Sequence, residues 1–328
     1  MPPEINRRKF IQESLLLSAG GALATGLGQG AALADGVSGK TDDLKSPAAA
    51  ADALPQGKIG NLQISRLIMG SNLITYFAHS RDLNYVSELA RHYNTLPKIL
   101  ETLAVGEQNG INTIAIHCGD DFKRFIAGHR QQGGKLQWIT GVEGNPTLPD
   151  FETVIKEVVD AGAAALYLHG NASERLFNSN KLELMGQIIE AMGKTKLPVG
   201  VGCHDIRVLL ECEKYKWPIN FYVKTFHHLN YPSAPRPEQR EAPHSENPGY
   251  WCQDPDALIA LMSSVEKAWI AFKVMAAGAI PPKSAFDYCF KNGADHILAG
   301  MFDFQIAEDV KIAARTLEGV KRSRPWRS

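Results

Sequence analysis

The sequence lacks several features that would define a protein class. Its five cysteines (Cys118, Cys203, Cys212, Cys252 and Cys289) are odd in number and contain no CxxC pair. That excludes a disulfide framework. Neither sign of charge is in excess, with 35 Lys and Arg against 35 Asp and Glu and a pI near 7.1. Without a basic field, nucleic acid and anionic membrane surfaces are excluded as partners. The one weakly apolar stretch near the start, residues 14–33, is short and broken by glycine, so no stable membrane insertion is expected. No GxGxxG follows the first candidate strand, which argues against a doubly wound dinucleotide-binding sheet.

What the N-terminus does have is a targeting pattern. "NRRKFIQ" places Arg7, Arg8 and Phe10 before the small, weakly apolar run, and "ALA" at residues 32–34 supplies a small-x-small cleavage site. This resembles a twin-arginine (Tat) export signal. It implies a folded cargo handed to the Tat machinery and a periplasmic or secreted product. The expected organisation is a signal at 1–34, a flexible Ala/Ser/Asp/Gly linker at 35–57, one barrel domain at 58–322 and a short tail at 323–328.

From residue 58 onward, continuous apolar runs alternate with amphipathic stretches. "RLIMG", "NTIAIH", "LQWITGVEG", "AALYLHG", "PVGVGCHD", "INFYVKTFHH", "AWIAFKVMAAG" and "ADHILAG" read as eight strands. Each is followed by a helical stretch, as in "LPKILETLAVGEQNG", where Thr95 is the expected N-cap and Gly110 the stop. Strands without polar alternation suit a parallel sheet covered on its outer face. Eight strand-helix pairs predict an α/β fold, a (β/α)8 TIM barrel. Two long loops, 71–95 and 229–253, follow strands and read as lids over a polar pocket or as a dimer contact.

In such a barrel the C-terminal strand ends line the active site. Five of the ten histidines fall there: His117, His169, His204, His227 and His228. Carboxylates accompany them, namely Asp120, Asp121, Glu143 and Asp205, together with Lys224 and Lys273. Imidazoles with a carboxylate are ordinary ligands for Zn, Fe, Mn or Ni. His117, His169 and His204, completed by Glu143 or His227, are the expected metal set. Lys224 or Lys273 is the expected base, with Asp120 or Glu143 as ligand or proton carrier. Salt bridges to nearby carboxylates are the structural alternative for the lysines. Cys118 and Cys203 beside strand-end histidines admit a weaker Cys/His reading.

The segments "IGNLQISRLIMGSNL", "NGINTIAIHCGDD", "AGAAALYLHG", "PVGVGCHDIRVLLE" and "ILAGMFDFQIAEDVKIA" resemble, in order, the opening and strands two, four, five and eight of aldo-keto reductases. The resemblance implies a hairpin-like lead into the barrel, His169 as the catalytic histidine, and Gln305 and Glu308 on a cofactor-proximal helix. It also exposes departures. Ala115 stands at the aspartate position, Asp120 near the tyrosine and Thr140 near the lysine. Gly202 and Cys203 replace the Ser-Asn pair, and Met301 or Phe302 replaces the arginine that holds the 2′-phosphate. The family's fold is therefore expected to persist better than its hydride transfer.

The function expected from these residues is metal-assisted lyase, isomerase or hydrolase chemistry on a small polar, carbohydrate-derived substrate. An NADP(H)-dependent oxidoreductase is the alternative, and a non-catalytic binding protein the second alternative.

Overall fold

The computed structural model describes residues 54–78, 83, 85–240 and 252–328. The expected signal at 1–34, most of the linker, and parts of both long loops lie outside the described residues.

Two short strands come first. β1 (Gln56–Ile59) and β2 (Leu62–Ser65) pair antiparallel. Gly60 turns between them at φ 59°, where a side chain would be strained and would also meet Pro198. The hairpin thus starts inside the segment expected as linker. It presents Ile59 and Ile64, both buried, to the lower end of the barrel interior.

Eight parallel strands then close on themselves: β3 (Leu67–Gly70), β4 (Thr113–His117), β5 (Gln137–Val142), β6 (Ala165–Leu168), β7 (Val199–Cys203), β8 (Phe221–Thr225), β9 (Ala268–Phe272) and β10 (His296–Gly300). Each pairs with the next in sequence, and β10 pairs back onto β3. The fold is the expected TIM barrel. Alternation along the strands splits the core in two. Ile68, Ala115, Ile139, Tyr167, Val223 and Ile270 fill the interior. Leu67, Ile114, Trp138, Leu166, Tyr222 and Trp269 face the helical layer.

The helices are α1 (Tyr85–Tyr93), α2 (Leu96–Gln108), α3 (Asp120–Gln131), α4 (Leu148–Asp160), α5 (Gly170–Asn178), α6 (Leu182–Gly193), α7 (Ile206–Tyr215), α8 (Pro255–Ser264), α9 (Pro282–Lys291) and α10 (Asp303–Gly319). None is long and apolar enough to cross a membrane, among the described residues. Two of them, α1 and α5, were not legible in the sequence. α1 carries an apolar stripe of Val86, Leu89, Ala90 and Tyr93 but falls inside the segment expected as a loop, and only Ala90 of it is buried. α5 offers a single i,i+4 apolar pair, Ala172 and Leu176.

The segment expected as a tail is bound to the floor of the barrel. Arg324 is buried and donates to Asp295, Gly293, Val265 and Lys267. Trp326 lies between the guanidinium groups of Arg66 and Arg322, at 3.8 and 3.4 Å from its ring centre.

Candidate active site at the barrel mouth

The upper strand ends carry two histidine clusters, joined through the start of α5. His169 follows β6 as the N-cap of α5, with extended φ and ψ. One turn on, Glu174 and Arg175 leave the same helix about 100° apart, the angle between neighbours at 3.6 residues per turn. Each serves a different cluster.

The first cluster centres on His204, at the end of β7. Its Nδ1 stands 3.2 Å from both oxygens of Glu174, whose Oε1 also accepts the backbone N–H groups of His204 and Asp205. Burial opposes ionisation of Glu174. The hydrogen bonds from the His204 ring and the two amides outweigh it and hold the carboxyl at about 2. An ionised Glu174 fixes the proton of His204 on Nδ1. Nε2 therefore carries the lone pair, and Lys273 Nζ lies 2.8 Å from it. Gly170 leaves room for the imidazole, since a Cβ there would stand 3.1 Å from His204 Cε1.

Lys273 reaches the mouth through its backbone. Strand alternation directs Phe272 inward and its successor outward. At φ 56° Lys273 leaves the strand in the left-handed region, and its amine arrives beside His204. Ala276, Ala277 and Gly278 share that region, at φ 46°, 57° and 84°. Each non-glycine residue there costs roughly 1–2 kcal/mol. Two hydrogen bonds brace the turn: the carbonyl of Lys273 accepts the amide of Ala276 and lies 3.1 Å from His227 Nδ1.

That contact explains His227. Its Nε2 accepts the amide N–H of Cys252 at 3.1 Å, so Nδ1 carries the proton and donates to Lys273. Burial drives its pKa down to about 3. With both nitrogens engaged, His227 braces the backbone and is not placed as a ligand.

The second cluster is His117, Glu143 and His169. His117 ends β4, and its ring centre lies 6.2 Å from that of His169. Glu143 Oε2 is 3.1 Å from His169 Nδ1, near enough for an ion pair but out of line for a hydrogen bond. Arg175 binds Glu143 Oε1 at 3.2 Å and the Gly144 carbonyl at 2.6 Å. His169 and then Arg175 hold the Glu143 carboxyl below its ordinary value. Burial, reinforced by His169, lowers the pKa of His117. Gly141 makes the arrangement possible: a Cβ there would come within 3.0 Å of Tyr167 and His169.

The remaining expected residues lie elsewhere. Lys224 is buried on the outward-facing parity of β8, with Tyr222 and Phe226, and donates to the Thr225 carbonyl. Asp120 is exposed in the first turn of α3. His228 bonds Ser284, and Asp205 caps α7 while pairing with Arg207. Burial pushes the Cys118 thiol up, away from thiolate chemistry. Among the described residues, no three His, Cys, Asp or Glu side chains form a group that could hold a metal ion. His204 and His227 show why: the ring nitrogens a metal would need already have partners. The residues present do not fit a shared ion. Glu174, the residue that organises His204, was missed because α5 was missed.

The chain is a (β/α)8 barrel whose mouth holds Glu174, His204 and Lys273 in a hydrogen-bonded row. No family model matches the chain. No curated protein matches it. Solved structures do match. The apo form of Gox0644 superimposes with a TM-score of 0.53 at 8% identity, covering 83% of this chain and 95% of its own. The native structure of KDPGal gives 0.43 at 13%, covering 68% and 90%. The N-acetylmannosamine-6-phosphate 2-epimerase from Clostridium perfringens gives 0.43 at 14%, covering 66% and 85%. At these identities the likeness is one of fold.

Proposed function

We propose that the protein is an enzyme of the lyase or isomerase class. Its substrate is a small, polar, carbohydrate-derived carbonyl compound, and Lys273 is its nucleophile or base. One observation carries this reading: Lys273 Nζ, His204 Nε2, His204 Nδ1 and the Glu174 carboxylate lie in a hydrogen-bonded row. An ammonium group is no nucleophile. His204 accepts its proton, and Glu174 stabilises the imidazolium that forms, the logic of an activated nucleophile with an oriented base. The neutral amine then attacks the substrate carbonyl, and water leaves as the iminium forms. The iminium draws electrons from the adjacent bond. That bond breaks to release a proton or a carbonyl fragment, leaving an enamine. Protonation and hydrolysis of the enamine return Lys273. His169, backed by Glu143 and Arg175, faces the same mouth and supplies the proton for the departing oxygen.

The export signal and the likeness to aldo-keto reductases remain part of this reading as origin and address. For the oxidoreductase alternative, Asp120 is no substitute for the missing tyrosine. The experiment is reductive trapping. The full chain is treated with short aldoses and ketoses plus borohydride, then digested and mapped by mass. An adduct on Lys273, absent from Lys273→Met, is the expected result. No adduct, or one on another lysine, ends the Lys273 reading. Metal analysis tests the metal-assisted version: stoichiometric Zn, Fe, Mn or Ni, with activity lost on chelation, would replace the proposal.

A further inference from the structure

Building on the carbonyl chemistry proposed for Lys273, we infer that Tyr167 and His169 together hold the hydroxyl group β to the substrate carbonyl. The bond that breaks is then a carbon–carbon bond, and the enzyme is an aldol lyase.

Tyr167 lies on the inward parity of β6, two residues below His169. It is 7% exposed, and its hydroxyl has no hydrogen-bond partner among the described residues. A ring that only filled the barrel would serve better as phenylalanine, since a buried hydroxyl left unpaired costs free energy. Two glycines make room for it. A Cβ on Gly141 would stand 2.9 Å from Tyr167 Cζ and Oη, and one on Gly202 would stand 3.1 Å from its Cδ2.

The hydroxyl meets the open side of His169. The Gly141 Cβ position that lies 2.9 Å from Tyr167 Oη also lies 3.0 Å from His169 Cδ2, so phenol and imidazole flank one space. Their ring centres are 6.3 Å apart. Cδ2 is bonded to Nε2, the nitrogen on the far side from Glu143. Glu143 Oε2 stands 3.1 Å from Nδ1. A carboxylate there favours the proton on Nδ1 and leaves the lone pair on Nε2. Burial, then Cys118 and Glu143, push the phenol's pKa above its ordinary value, so Tyr167 keeps its proton. One donor and one acceptor thus face the same space. A hydroxyl group satisfies both at once. A carbonyl oxygen would leave the imidazole idle, and an ammonium group would leave the phenol idle.

The ring also ties this space to the first cluster. The Gly202 Cβ position beside Tyr167 Cδ2 lies 3.0 Å from the Gly170 amide nitrogen, and Gly170 is the residue on which His204 packs. The Tyr167 ring therefore lies between the His204 cluster and His169.

Chemistry fixes which hydroxyl this is. With the carbonyl carbon held on Lys273 as an iminium, only a β-hydroxyl can feed electrons into it through a carbon–carbon bond. His169 Nε2 takes the hydroxyl proton, and the O–H pair becomes the new C=O bond of the departing aldehyde. The Cα–Cβ bond breaks, its pair forms the enamine C=C bond, and the iminium nitrogen takes back its π pair. His169 can accept this proton because it has already given one to the departing water. Tyr167 donates to the same oxygen throughout, and its hold strengthens as negative charge builds there.

The test gives the full chain fructose, sorbose, tagatose and psicose, each with a hydroxyl β to its ketone, and dihydroxyacetone, which has none. Wild type is expected to release glyceraldehyde from at least one of the ketohexoses, read by chromatography. Tyr167→Phe is expected to slow that release on the order of 10²–10³-fold and to slow borohydride trapping of dihydroxyacetone on Lys273 far less. Its thermal stability should be equal or higher, because the hydroxyl removed has no partner. Release unchanged in Tyr167→Phe, or release and trapping slowed alike, overturns the role of Tyr167. Ketohexose adducts on Lys273 without glyceraldehyde from any of them overturn the lyase assignment and keep the Lys273 reading. No adduct with any sugar ends the Lys273 reading instead. The hydroxyl site is then judged by calorimetry with the same ketohexoses: affinity lost in Tyr167→Phe keeps it, and equal affinity ends it.

Discussion

At the floor of the barrel Asp295 is fully buried, and both of its oxygens are taken. Oδ1 accepts from Arg322 and the amide of Arg327; Oδ2 accepts from Arg324 and the amide of Trp269. At the mouth the Glu174 carboxylate is likewise held below its ordinary value, and through His204 it reaches the amine of Lys273. His169 Nδ1 and the Thr225 hydroxyl, buried near the top, have no hydrogen-bond partner. Buried atoms without a partner also occur at the floor, at Arg324 Nε and Arg327 Nε. The floor joins its charges to one buried carboxylate, and the mouth joins them in a Glu174–His204–Lys273 row.

The contrast can be broken most directly at the floor. Asp295→Ala strands two buried guanidinium groups and is expected to cost about 3–5 kcal/mol, read by urea or thermal unfolding. The trapping rate at Lys273 in the fraction still folded should not change. The converse at the mouth is Glu174→Gln, expected to slow Lys273 trapping on the order of 10²–10⁴-fold while thermal stability moves far less than for Asp295→Ala. A variant that lost both together would show that Glu174 is merely structural.

One buried histidine at each end of the barrel responds to acid. Burial lowers His227 to about 3 and His296 to about 4, both below the ordinary value of 6.5. The unfolded chain therefore binds more protons than the folded one between those values and 6.5. Stability from these residues is complete above 6.5 and drains away as pH falls. Replacing either by Gln should flatten the slope of stability against pH in that window. The change is on the order of 1–3 kcal/mol at pH 4, measured by chemical denaturation across the range. An unaltered slope would remove the histidine concerned from the account. The smallest effect is expected from Trp326→Ala. Loss of the paired cation–π contacts with Arg66 and Arg322 should cost about 1–2 kcal/mol at the floor and leave Lys273 trapping as it was.

Much of the barrel was legible because parallel strands covered by helices leave a strong trace. "NTIAIH" and "PVGVGC" could scarcely be anything else, and β4 and β7 lie where they predict. The strand-end residues His117, His169 and His204 were legible for the same reason. Their partners were not. Lys224 and Lys273 looked equivalent from spacing, yet strand parity turns Lys224 outward and a left-handed backbone brings Lys273 in. His227 looked like a ligand and is a brace. Glu174 drew no notice, because α5 is short and its apolar signal is two residues long.

The eightfold alternation, and therefore which residues stand at the mouth, follows from the amino-acid order alone, since apolar periodicity is a local property written residue by residue. Which of them meet is set by packing between distant segments. Whether His204 answers to Glu174 and Lys273 depends on a helix register, a glycine's missing side chain and one positive φ. Those are contacts between segments 30 and 69 residues apart, and no local pattern encodes them.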